Sequence, residues 1–159
     1  MAYVKYAHTN IVATDWRRLS DFYINVFGCV PAGPTRRLTG PDVAAGTGLK
    51  SPSIEGIHLS FPGQAEGGPT LEIFQYRETR HEAERVANSR GLTHLAFEVS
   101  DLEETCSKVI RNGGWMLGRL ASCKVDGVGV CTFIYVRDPD RNIIELQGWE
   151  ADEKATGAV

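Results

Sequence analysis

The chain has 159 residues, 42% of them hydrophobic and 23% charged, with a formal net charge of −3 and a sequence isoelectric point of about 5.8. That length suffices for one domain with a core, or for two small halves packed together. The charge balance excludes a nucleic-acid surface, which needs a clustered basic excess, and the apolar runs are too short to cross a bilayer.

The N-terminal "MAYVKYAHTN" holds no apolar run of a secretion signal, and Cys29, Cys106, Cys123 and Cys131 form no C-x-x-C pair. Reduced thiols in a cytoplasmic protein are therefore expected.

Along the chain, residues 3–13 alternate as a strand does. Asp15 then stands at an N-cap position, and Leu19, Phe22, Tyr23 and Val26 recur as one face of a helix that Gly28 closes. Strand-like runs follow in "IHLSFP" (57–62) and "TLEIFQY" (70–76), after a Gly/Pro/Ser-rich stretch (36–56) expected to be a long loop. Residues 77–90 read as a polar, helix-capable linker.

The plan then repeats. Residues 92–99 form a strand, Asp101 caps a helix with Glu104 placed for a capping box, and Leu102, Cys106, Val109 and Ile110 form its stripe up to Gly113. "GWMLGRL" (114–120), "VCTFIYV" (130–136) and "NIIELQGW" (142–149) are the later strands, and a disordered end is expected from Ala151. His8 and Asp15 are seven residues apart, as are His94 and Asp101. Each half thus reads as strand, helix and about three strands, with the first half enlarged by one loop.

Strand parity orients the polar residues. Leu95, Phe97 and Val99 share a face opposite His94; Leu71 and Ile73 oppose Glu72; Ile144 and Leu146 oppose Glu145. His8 follows by its place in the repeat. Two imidazoles and two carboxylates on the faces turned from the helices call for a cation, since carboxylates gathered without one repel. The donors suit one divalent ion (Zn, Ni, Co, Mn or Fe), and an octahedral site would keep two positions open for adjacent substrate oxygens. His58 has no partner in the repeat and is expected to line the cavity or lie at the surface rather than to bind the ion. His81, among charges, is expected to be solvated.

"DFYINVFG" (21–28), "GLTHLAFEVSDLEE" (91–104) and "RDPDRNIIEL" (137–146) resemble the vicinal oxygen chelate superfamily, which includes glyoxalase I, methylmalonyl-CoA epimerase, fosfomycin-modifying enzymes, extradiol dioxygenases and bleomycin-binding proteins. The last stretch is similar to the family's D-P-D-G-N-x-I-E-L pattern, with Arg141 replacing its glycine. The resemblance implies an α+β fold of two βαβββ modules, about 3–76 and 91–149, forming a curved mixed sheet around a metal within one domain spanning 1–159. It implies His8, Glu72, His94 and Glu145 as metal ligands; of the two carboxylates, Glu145 is assigned here as catalytic base and Glu72 as ligand and acid, an assignment the residues themselves leave open.

The implied activity is that of a glyoxalase I-like metal-dependent lyase or isomerase, acting through an enediolate on a small hydroxycarbonyl or hemithioacetal. The alternatives are an epimerase or dioxygenase of the same superfamily, or a non-catalytic drug-binding protein. Extradiol dioxygenases use two histidines and one glutamate, so Glu72 speaks against them. Val12 stands where glyoxalase I commonly has an arginine that holds glutathione, and Tyr76 where it tends to have asparagine. Arg36 or Arg37 would have to replace that clamp, and His58 and Tyr76 complete the expected substrate contacts. A homodimer is also implied, with a small-molecule substrate as the other partner.

Overall fold

A computed structural model describes residues 3–80 and 83–151. The chain divides into two compact units, one ending at Glu82 and the next beginning at Ala83. Among the described residues each is an α+β module with one open, mixed five-stranded sheet.

The first module runs β1 (His8–Val12), α1 (Trp16–Phe27), β2 (Val30–Pro31), β3 (Arg36–Thr39), α2 (Pro41–Thr47), β4 (Ser53–Ser60) and β5 (Thr70–Tyr76). Its strands lie in the order β1-β5-β4-β2, and β3 also pairs with β4. Only β1 and β5 are parallel; the β2–β4, β3–β4 and β4–β5 pairings are antiparallel.

Helix α1 forms where the spacing places it. Asp15 accepts hydrogen bonds from the backbone N–H groups of Arg17 and Arg18, and Gly28 ends the helix in the left-handed region at φ 72°. Such a cap stabilises a helix by about 1 kcal/mol. Leu19, Phe22, Tyr23 and Val26 are all buried against the sheet, each contributing roughly 1.5–3 kcal/mol of apolar burial.

The second module runs β6 (His94–Glu98), α3 (Leu102–Arg111), β7 (Trp115–Met116), β8 (Ala121–Val125), β9 (Gly129–Arg137) and β10 (Ile143–Ala151). The order β6-β10-β9-β7, with β8 also on β9, repeats the first module's connectivity strand for strand. Asp101 caps α3 through the N–H of Glu104. The Glu104 carboxylate bonds Arg111 rather than reaching back to complete a box. Val109 is fully buried, but Ile110 at the end of the expected stripe is exposed and Thr105 takes a buried place instead.

Four strands, not three, follow each opening helix. The stretch 36–56 is not a loop: Arg36–Thr39 pairs with Ile54 and its neighbours, and Pro41–Thr47 is a short helix with proline in its first turn. The first strands are shorter than their alternation suggested, beginning at His8 and His94. Only Trp115–Met116 of "GWMLGRL" is strand. The described residues of the linker 77–90 are turns and coil rather than helix. His81 and the tail beyond Ala151 lie outside the described residues.

Two backbone details bear on the site. A Cβ built on Gly56 would stand 2.1 Å from the Ile73 carbonyl oxygen and 2.4 Å from Phe74 Cδ1, so the β4–β5 approach there admits only glycine. In the β9–β10 turn, buried Asp138 accepts from the N–H groups of Asp140 and Asn142, and Arg141 takes φ 71° where the family pattern has glycine.

Candidate metal centre

Both histidine–glutamate pairs arise from one register. In the parallel pairings Asn10 lies beside Glu72 and Ala96 beside Glu145, so each histidine sits two residues ahead of the glutamate's strand partner. A two-residue step returns to the same face of a sheet. Leu71, Ile73, Ile144 and Leu146 fill the opposite, fully buried faces. The outcome is His8 Nε2 at 3.5 Å from Glu72 Oε2, and His94 Nε2 at 3.2 Å from Glu145 Oε2.

Each pair has a third member on the neighbouring antiparallel strand. His58 is the register partner of Glu72, and Tyr135 is that of Glu145. His58 therefore does have a counterpart in the repeat, and it is a phenol. Unequal hairpins conceal this: β4 and β5 are joined by residues 61–69, β9 and β10 by 138–142.

His58 is buried, with Nδ1 2.9 Å from Thr70 Oγ1 and Nε2 2.8 Å from Glu72 Oε1. That second separation is short, yet the ring N–H is not aligned on the carboxylate, and Nε2 has no hydrogen-bond partner among the described residues. Its ring meets the His8 ring edge-on at 5.5 Å. Burial, followed by the Arg36 charge, pushes His58 below the usual imidazole range, against the pull of Glu72. Asn10 Nδ2 donates to Glu72 Oε2 at 2.8 Å, so this oxygen is held, while Oε1 faces the unaligned His58 Nε2. In the second module Ala96 stands in place of Asn10. Tyr135 packs on His94 at 5.2 Å, and burial together with the adjacent Glu145, which accepts its hydroxyl, raises the phenol's pKa.

These donors fit a divalent cation. Ligands about 2.0–2.1 Å from one ion stand roughly 2.9–3.4 Å apart along an octahedral or tetrahedral edge. The nitrogen–oxygen separations of 3.5, 2.8 and 3.2 Å lie close to that interval. The ligand atoms of His8, His58 and Glu72 all lie within 4.8 Å of one another.

The other expected contacts divide. Arg36, on β3 opposite Gly56, is near enough for its charge to act on His58. Arg37 points to Glu55, with Nε 3.5 Å from Oε1. Tyr76 ends β5 opposite Ile54, half-buried and two turns of the pleat beyond Glu72. All four cysteines are free thiols, and burial pushes Cys29 up to about 11. No helix among the described residues is long and apolar enough to cross a membrane.

The family model for the glyoxalase/bleomycin resistance protein/dioxygenase superfamily matches residues 5–146. Among solved structures, a glyoxalase family protein from Bacillus cereus is similar at 18% identity and a TM-score of 0.71, with 94% of this chain and 95% of that one covered. A glyoxalase family protein from Enterococcus faecalis is 20% identical with a TM-score of 0.57, covering 91% and 96%. A glyoxalase/bleomycin resistance protein/dioxygenase family enzyme from Burkholderia phytofirmans is 15% identical with a TM-score of 0.57, covering 92% and 100%. No curated protein matches. At these identities the structures speak for the fold alone, and the family match, over most of the chain, decides membership. The chain belongs to the glyoxalase/bleomycin resistance protein/dioxygenase superfamily.

Proposed function

We propose that this protein is a metal-dependent lyase or isomerase that moves a proton on a small hydroxycarbonyl or hemithioacetal substrate, with His8, Glu72, His94 and Glu145 as ligands of one divalent cation. The observation that carries the reading is the repeated register: in each module a histidine and a glutamate meet on the face turned from the buried core. A cation held there would supply Lewis acidity, offsetting the negative charge that develops as a carbon-bound proton departs.

The chain's own residues perform the remaining steps. Glu72, fixed at Oε2 by Asn10 and approached at Oε1 by His58, suits a stationary ligand that holds position through the reaction. Glu145 is the base that takes the proton and returns it to the neighbouring carbon, with Tyr135 donating to it and setting its orientation. His8 and His94 would bind the ion through ring nitrogens. Val12, half-exposed on β1, supplies no charge for a glutathione carboxylate, which favours a smaller substrate. Open sheets leave strand edges to be covered, which supports a homodimer.

The test pairs metal analysis with proton exchange. The protein as purified should carry about one transition-metal ion per chain, and it should exchange the α-proton of some members of a hydroxycarbonyl panel in deuterium oxide. Chelation should stop the exchange. Full metal occupancy in both His8→Ala and His94→Ala would refute the ligand set, and exchange unaffected by chelation would refute the chemistry.

A further inference from the structure

We infer that the first module is by itself a divalent-cation site, in which His58 joins His8 and Glu72 as a donor. The inference rests on the metal-binding half of the reading above and changes which donors suffice: three residues of one module hold the ion, without His94 or Glu145.

The argument begins with His58 Nε2. A buried ring nitrogen without an aligned hydrogen bond is costly in a folded protein unless something else meets it, and this one has no such bond among the described residues. Thr70 Oγ1 engages the other ring nitrogen at 2.9 Å, which orients Nε2 toward Glu72. Engagement of the far ring nitrogen is how metal-bound imidazoles are ordinarily oriented.

Glu72 is prepared in the same way, its Oε2 held by Asn10 at 2.8 Å. The side chains of His58 and Glu72 are only 8% and 12% exposed, whereas His8 is 43% exposed. Two sheltered donors and one open one leave a path by which an ion can enter. Two imidazoles and a carboxylate select borderline transition metals such as zinc, cobalt, nickel or ferrous iron over magnesium or calcium.

The second module lacks this set. At the register position of His58 it has Tyr135, and at that of Asn10 it has Ala96. With two donors, His94 and Glu145, it is expected to assist an ion rather than retain one.

The experiment titrates cobalt(II) into metal-stripped full-length protein, reading both affinity and the visible absorption of the bound ion. The double variant His94→Ala/Glu145→Ala should still bind about one cobalt per chain, within roughly tenfold of the parent affinity. Adding His58→Gln to it should weaken binding a further hundredfold or more. Loss of cobalt from the folded double variant, with His58→Gln alone binding like the parent, would overturn the inference and leave the four-ligand set standing. No binding by the parent would overturn both. Should the double variant fail to fold, His58→Gln in the otherwise unchanged chain decides: a shifted absorption band and weaker binding support the inference, and an unchanged spectrum and affinity refute it.

Discussion

Glu72 and Glu145 occupy the same place in two copies of one fold, yet their company differs. Glu72 is met by two imidazoles and an amide, Glu145 by one imidazole and a phenol. The strand pairings that bring histidine and glutamate together are identical in the two modules, while the side chains on the flanking positions are not. The backbone relation is therefore common to both modules, and the side chains around it differ. A carboxylate fixed by an amide and flanked by imidazoles suits holding; one beside a phenol suits proton transfer.

The largest expected effect breaks that comparison directly. Glu145→Gln should keep bound metal and lose turnover by about 10²–10⁴-fold, as removal of a general base does. Glu72→Gln should lose metal affinity and turnover together. Metal content and exchange rate measured side by side separate the two, and equal behaviour would end the proposed division of roles.

A smaller effect sharpens it. Asn10→Ala removes the amide that orients Glu72 and should weaken cation binding about tenfold, in keeping with the loss of an outer-shell partner. Ala96→Asn supplies the second module with the missing amide and should tighten binding by less. Calorimetric titration with zinc measures both.

The modules also differ just past their first helices, where buried Cys29 corresponds to Gly114 by the positions of Gly28 and Gly113. Burial raises Cys29 from its ordinary 9.0 to about 11. An unfolded chain releases that proton first, so stability is intact below pH 9 and falls as pH climbs toward 11, by up to roughly 2–3 kcal/mol. Urea midpoints should show this alkaline loss in the parent and less of it in Cys29→Ala.

The smallest effect belongs to the second module's turn. Arg141 at φ 71° carries a side chain in a region that suits glycine, so Arg141→Gly should stabilise by up to about 1 kcal/mol and raise Tm by roughly 2–4 °C. Thermal melting checks it.

The sequence disclosed most where a residue's role depends on near neighbours. Asp15 and Gly28 mark the ends of α1 because capping is settled within a turn of helix, and the alternation around Glu72 and Glu145 shows their faces directly. The two-residue strands β2 and β7 are too short for any period, and α2 lies in a stretch whose glycines and proline read as loop. The sequence alone puts His58 at the cavity or the surface, and does not set it beside Glu72. Its partnership depends on hairpin register, and the first hairpin is longer than the second, so counting residues cannot align His58 with Tyr135. The available clue was the hairpin itself: an antiparallel fold-back of "IHLSF" on "TLEIF" sets the two residues opposite.

That opposition has an upstream guarantor. Gly56 and His58 project from the same side of β4, and the backbones of β4 and β5 close in on Gly56 until no methyl group could be accommodated. The spacing between imidazole and carboxylate is thus calibrated by a missing side chain one pleat away. Any replacement there would pry the strands apart and detune the centre without altering a single atom of its donors.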